Sequence, residues 1–166
     1  MRVPIRKSEK YTSLKTDPHI TQAKFDELKI KLNRLVTVKR PEEAEEVKRL
    51  ALMGDFSENV GYQIAKGRLR GINQRIIDIE NLLRDAEIIY QNKDSSEAQI
   101  GNFVTLERDG KEKTYQILGS EETNPSAGVI SHNSPLGSSL LGKSVGDIIE
   151  IPLTDKIIKY KIVKIS

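Results

Sequence analysis

The sequence predicts an α+β protein: an N-terminal antiparallel α-helical coiled-coil hairpin, then a compact β-sheet domain with a short helix. Three observations carry this. Tyr62, Ala65, Leu69, Ile72, Ile76, Ile79, Leu83 and Ala86 step by three and four without a break, which is a heptad seam. Beyond residue 100 the period changes to two. "FVTLERDGKEKTYQIL" alternates about Asp109-Gly110, and "DIIEIPLTDKIIKYKIVKI" alternates about Thr154-Asp155. Between the two regimes "NKDSSEAQ" is polar and free of large apolar residues, so residues 92–99 are read as a linker.

The elements follow in chain order. Residues 1–16 form a basic N-terminal extension. The opening run "MRVPIRKSEKYTSLKTDPH" has no apolar stretch and is not expected to be a secretory signal. The helical domain spans residues 17–91, with its first helix expected to start near Asp17-Pro18, a cap residue before a good first-turn residue. Phe25, Leu28, Leu32 and Leu35 make its apolar stripe. Pro41 in "VKRPEE" interrupts the pattern, because a mid-helix proline loses a hydrogen bond and clashes with the preceding turn. A kink or restart is expected there, helped by Glu42 and Glu43 at the new N-terminus. The restarted helix runs through Val47, Leu50 and Ala51 and is expected to stop at Gly54.

The seam from Tyr62 to Ala86 then makes a rod roughly 36 Å long at the helical rise. So narrow a seam needs a partner helix, and the one available precedes the turn. The product is a hairpin with its tip at residues 54–59. Gly61, Gly67 and Gly71 are poor helix formers, each costing about 1 kcal/mol relative to Ala, and are expected to let the two helices approach closely. In the strand-rich domain, residues 100–166, "SPLGSSLLG" reads as a short helix with Ser134 as cap, Pro135 first and Gly142 as stop.

Composition narrows the function classes. Hydrophobic residues make up 37% and charged residues 31%, which suits a folded core with a large solvated surface. There is no cysteine, so disulfides and thiolate metal sites are excluded, and a reducing, cytoplasmic setting is expected. No eighteen-residue apolar run is present, so no membrane partner is expected. The net charge is +3, with an excess of four positive charges over residues 1–94 and of one negative charge over 95–166. Any polyanion contact is assigned to the first half.

At the tip, "GDFSEN" places Asp55 and Glu58 three residues apart. The spacing fits a capping box, in which Asp55 accepts from the next helix and Glu58 reaches back. It also fits two carboxylates holding one face of a hard divalent cation, although two are too few for a protein-only magnesium site. Phe56 fits either local packing or an insertion contact. Lys66, Arg68, Arg70 and Arg75 lie beside the seam, as a solvated flank or as contacts to RNA or an acidic protein surface. His19 and His132 are read as having no ligand-like neighbours, so catalytic and zinc roles are not expected of them. No Ser-His-Asp motif, phosphate-binding loop or dinucleotide fingerprint appears.

Two stretches, "RPEEAEEVKRLALMGDFSENVGYQIAKGRLRGINQRI" and "GKEKTYQILGSEETNPSAGVISHNSPLGSSLLGKSVGDIIEI", together resemble the bacterial Gre-type transcript cleavage factors. The resemblance covers residues 20 to 165, and its most specific parts are the "GD-x-SEN" tip and "IS-x-x-SPLG-x-x-LLGK-x-VGD". It implies a coiled coil joined to a C-terminal domain similar to FKBP prolyl isomerases. It also implies a monomeric accessory factor that docks on bacterial RNA polymerase and inserts the coiled coil into the secondary channel. There the nascent RNA 3′ end of a backtracked complex is hydrolysed.

On this resemblance, Asp55 and Glu58 share a magnesium ion with the polymerase active site, and the free protein binds no cofactor. Phe56, Ser57 and Asn59 are further tip contacts, and Lys66, Arg68, Arg70 and Arg75 face RNA or polymerase. Ser134, Pro135, Leu136 and Gly142 lie in the docking domain and are assigned to polymerase docking. The factor completes a hydrolytic site without being an enzyme itself. An alternative within the resemblance is a channel-binding regulator that inhibits polymerase without stimulating cleavage. The intact tip pair speaks against that alternative. The family's usual acidic residue after "SEN" is replaced at Gly61. A prolyl isomerase is disfavoured, since Phe103, Tyr115 and Tyr160 are few aromatics for a proline pocket.

Overall fold

A computed structural model describes residues 17–53, 59–92, 95–153 and 156–166. The architecture is α+β. A helical hairpin packs at its base against a five-stranded sheet domain.

The first helix, α1 (Gln22–Arg34), is capped by Thr21, whose hydroxyl accepts from the Lys24 amide at 3.2 Å. The start therefore lies four residues beyond the expected Asp17-Pro18. The reason is tertiary: the Asp17 carboxylate is drawn to Ser120, across the chain, and is not available as a cap. Residues just before Thr21 instead form β1 (His19–Ile20), which pairs in parallel with β2 (Glu87–Ile88). These two-residue strands bring both open ends of the hairpin together.

The helix is not broken at Pro41. Residues Leu35–Lys39 form a π-helical turn, in which the Arg40 amide bonds to the Leu35 carbonyl five residues back. The wider turn admits the proline ring without ending the helix. The backbone stays right-handed helical through Arg34, Lys39 and Arg40 into α2 (Arg40–Ala51). Glu42 and Glu43 lie in the first turn of α2, as expected. Its C-cap is Leu52, and the expected stop at Gly54 lies outside the described residues.

The second arm, α3 (Val60–Asp85), is 26 residues of unbroken helix. Every member of the heptad seam is buried or half-buried, and Leu82 joins it. The arms run antiparallel, since Leu50 lies beside Gly61 and Glu43 beside Arg68. Of the three glycines, Gly61 alone faces the partner helix, 3.7 Å from Leu50 for an added Cβ. Gly67 and Gly71 look into open space, so close helix approach is not their role. At the base, Ile20, Leu28, Ile79 and Leu82 make a small core with Phe25, Leu32 and Leu83 packed against it. Fully burying each of the aliphatic side chains stabilises by about 1.5–3 kcal/mol.

The sheet has the order β5-β4-β3-β7-β6. Its strands are β3 (Phe103–Arg108), β4 (Lys111–Leu118), β5 (Val129–Ser131), β6 (Ile148–Leu153) and β7 (Lys156–Ile165). All neighbours are antiparallel except β4 and β5. The β3–β4 turn is Asp109-Gly110, both with positive φ (52° and 74°), as this hairpin type requires. One helix, α4 (Pro135–Leu140), covers the sheet. Ser134 caps it and Gly142 closes it in the left-handed region. The core comprises Val104, Leu106, Ile117, Ile130, Leu140, Ile149 and Ile162, with Ala98 from the segment read as a linker. Ala98 is bonded on both sides of its peptide unit: its amide donates to the Lys143 carbonyl, and its carbonyl accepts from the Gly142 amide.

Candidate functional site

The helix ends frame the tip. α2 ends at Ala51 and α3 begins at Val60, so the interval between them carries "GDFSEN". Gly54, Asp55, Phe56, Ser57 and Glu58 lie outside the described residues. Asn59 is described, and it fills the N-cap of α3. Its side-chain oxygen accepts from the Tyr62 amide at 2.9 Å, and its amide nitrogen donates to the Leu50 carbonyl at 3.1 Å. One side chain thus satisfies an orphan donor of the second helix and adds a second bond to the Leu50 carbonyl of the first, which also accepts from the Met53 amide at 3.2 Å. The N-cap of α3 is therefore Asn59, and the expected capping box of Asp55 and Glu58 lies outside the described residues. Around the interval Leu52, Met53, Val60 and Ile64 are exposed.

The basic flank of α3 is divided. Arg68 reaches across the hairpin to Glu43 at 3.5 Å, with the Glu43 side chain only 22% exposed. Lys66 lies over the Tyr62 ring at 5.7 Å. Arg70 and Arg75 are exposed and, among the described residues, form no ion pair. In the sheet domain, Ser134 Oγ accepts from the Gly137 amide at 3.0 Å and donates to the Ser131 carbonyl at 2.6 Å. Pro135 is exposed, and Leu136 packs on the sheet core. Gly137 is needed where α4 crosses β5, because an added Cβ would lie 2.0 Å from the Ser131 carbonyl oxygen.

A polar junction joins the two domains. Both oxygens of Glu122 accept from Thr21, from its amide at 2.7 Å and its hydroxyl at 2.6 Å. Asp17 Oδ2 accepts from the Ser120 amide at 2.8 Å and the Ser120 hydroxyl at 2.9 Å. Burial pushes the Asp17 carboxyl up, but bonds from Ser120 and His19 outweigh it and hold the group below its ordinary value. His19 Nδ1 stands 2.9 Å from Asp17 Oδ1, and His132 Nδ1 stands 3.4 Å from Asp17 Oδ2. The two imidazoles meet edge to face at 5.0 Å. The sequence expectation that both histidines lack ligand-like neighbours is therefore wrong in space. No spacing pattern signals the whole cluster, since Asp17 and His19 are two residues apart but His132 comes from far along the chain.

Comparison with known proteins fits the hairpin and the sheet domain separately. Residues 19–88 match the family "Transcription elongation factor, N-terminal", and residues 93–166 match "Transcription elongation factor, GreA/GreB, C-term". The chain belongs to the GreA/GreB family of transcription elongation factors. It is 43% identical over 150 residues to transcription elongation factor GreA of Macrococcus caseolyticus, covering 89% of this chain and 95% of that one. With GreA of Lactococcus lactis subsp. lactis it shares 41% over 155 residues, 92% of this chain and 99% of that one. Among solved structures, GreA factor homolog 1 of Thermus thermophilus is 27% identical over 89% of this chain and 97% of its own, with a TM-score of 0.40. Among the described residues of this Gre-family chain, no helix is long and apolar enough to cross a membrane.

Proposed function

We propose that this Gre-family protein acts on bacterial RNA polymerase by inserting its helical hairpin into the secondary channel. There it stimulates hydrolysis of backtracked nascent RNA by the polymerase's own active site. The observation that carries this reading is the position of "GDFSEN": it occupies the interval between two antiparallel helix ends, at the far end of a 26-residue arm. The chain's own chemistry supports it. Asp55 and Glu58 offer hard carboxylate oxygens, which suit magnesium, but they are too few to hold it alone. The remaining ligands come from the polymerase and the RNA, so the site exists only in the complex. An ion held by Asp55 and Glu58 in the complex would supply Lewis-acid activation of water for in-line displacement at phosphorus.

The tip carboxylates orient the attacking water and secure the metal, with Phe56, Ser57 and Asn59 as adjoining contacts. Arg70 and Arg75, exposed beside the seam, are placed to meet RNA or polymerase, and Lys66 and Arg68 flank them. The sheet domain docks on the polymerase rim through the surface about Ser134, Pro135, Leu136 and Gly142. The protein is an accessory factor in this scheme, working as a monomer in the cytoplasm.

The test is transcript cleavage in a stalled, backtracked complex of the cognate polymerase. Wild type should shorten the RNA from its 3′ end, while the Asp55→Ala, Glu58→Ala double variant should bind polymerase and cleave no faster than polymerase alone. Binding by wild type without stimulated cleavage would refute the reading in favour of an inhibitory channel binder.

A further inference from the structure

We propose that Asp17, His19 and His132 form a binding site for a divalent first-row transition ion of the zinc class, which clasps the helical hairpin to the sheet domain. The sequence contains two histidines in all and no cysteine. Both histidines meet at this one place, from opposite halves of the chain. One ligand atom from each of the three residues lies within 4.8 Å of the others. Ligand atoms of a tetrahedral zinc centre with bonds of 2.0–2.1 Å stand roughly 3.3–3.5 Å apart. The separations already seen are 2.9 Å from His19 to Asp17 Oδ1, shorter than that spacing, and 3.4 Å from His132 to Asp17 Oδ2, within it. Small side-chain rotations would complete it.

The surroundings suit a metal in one respect. His19 Nε2 faces Glu87 Oε2 at 3.4 Å while His19 Nδ1 faces Asp17. A neutral imidazole has one N–H and cannot donate to both carboxylates. With Nε2–H directed at Glu87, the Nδ1 lone pair points at Asp17, and either a second ring proton or a divalent cation can stand between them. This carboxylate–histidine–metal arrangement orients the ring in zinc sites generally. Asp17 Oδ2 is held by Ser120 and by Asn133 at 3.4 Å and also faces His132, while Oδ1 faces the His19 ring and accepts from the His19 amide at 3.2 Å. Binding would displace the His19 Nδ1 contact to Asp17 and the weak His132 Nδ1 contact to the Leu118 carbonyl at 3.4 Å. Imidazole selects zinc, cobalt or nickel over magnesium, so this ion is distinct in kind from any held at the tip. His19 is 33% exposed, which leaves a path for the ion and for a water as fourth ligand.

Asp17 and His19 lead into the hairpin, whereas His132 follows β5 in the sheet domain. The ion would therefore join two domains that otherwise meet through hydrogen bonds such as Thr21 to Glu122. Its consequence is a hairpin held at a fixed angle.

The experiment uses the full chain without affinity-tag histidines and zinc as the probe, titrated against a chromophoric chelator. One equivalent should bind, and His19→Gln and His132→Gln should each weaken binding by about tenfold to a hundredfold or more. X-ray absorption of the zinc-loaded wild type should show two imidazole ligands, a result that needs no variant to fold. Failure to compete with the chelator, an all-oxygen ligand shell, or affinity unchanged in both variants would overturn the proposal. None of these readouts involves polymerase, so the result stands apart from the cleavage assay.

Discussion

Replacing Asn59 by alanine removes two hydrogen bonds at the point where the hairpin arms meet. Loss of the N-cap bond to the Tyr62 amide costs about 1 kcal/mol. Loss of the bond to the Leu50 carbonyl costs about 1 kcal/mol more. Together they come to about 2 kcal/mol of local opening free energy, or about 30-fold, since 1.4 kcal/mol is tenfold. The assay is amide hydrogen exchange followed by NMR, reading the Tyr62 amide, which Asn59 accepts from directly. Protection there should fall by about 30-fold, while core amides such as Ile117 and Ile162 keep theirs. Asn59→Asp separates the two bonds. It keeps an acceptor for Tyr62 and loses the donor to Leu50, so about fivefold is expected for the remaining loss of about 1 kcal/mol. Unchanged protection in Asn59→Ala, or equal losses in both variants, would refute the two-bond account of the tip's frame.

Further outcomes follow from individual contacts. Gly67→Ala and Gly71→Ala should each raise stability by up to about 1 kcal/mol in urea titration, because a Cβ at either site meets nothing within 4 Å. A decrease would mean that these glycines contact something in the free protein. Gly119→Ala would set a methyl 1.7 Å from the His19 carbonyl oxygen. The neighbour is backbone, so the loss should exceed the ~1–3 kcal/mol of ordinary overpacking, seen as a lower Tm. An unchanged Tm would show that the junction repacks freely. Glu43 Oε2 is buried, has no hydrogen-bond partner and has Arg68 at 3.5 Å. Glu43→Leu should therefore be neutral or stabilising, while Arg68→Ala should destabilise by leaving that charge unpaired. The reverse order in thermal melts would contradict this.

How much was legible depended on whether the signal was local. The α3 seam was readable because Ile72, Ile76, Ile79 and Leu83 face one partner along the whole rod, so period and burial coincide. Asp109-Gly110 and Ser134-Pro135 were readable because turn and cap chemistry sit in adjacent residues. β1 and β2 were not, since two residues carry no periodicity and pair across the whole hairpin. Asp17 has the look of a cap, but Ser120 decides its place from far along the chain. Pro41 announced an interruption, and the π turn that absorbs it depends on the geometry of the turn before, which composition does not encode. At the tip, the expected cap, Asp55, lies outside the described residues, and Asn59 was read only as a tip contact although it caps α3. Its second bond, to the Leu50 carbonyl across the hairpin, is a tertiary contact that no local pattern encodes. The cluster of His19 and His132 arises from tertiary contact alone.

The most direct test of the central claim is the magnesium dependence of RNA cleavage in a backtracked complex, measured without factor, with wild type, and with Asp55→Ala, Glu58→Ala. If the tip carboxylates complete a shared magnesium site, wild type lowers the magnesium concentration needed for half-maximal cleavage. The double variant, still bound to polymerase, should track the curve without factor. The same magnesium requirement in all three curves, with wild type still accelerating cleavage, would contradict the claim and place the stimulation outside metal binding.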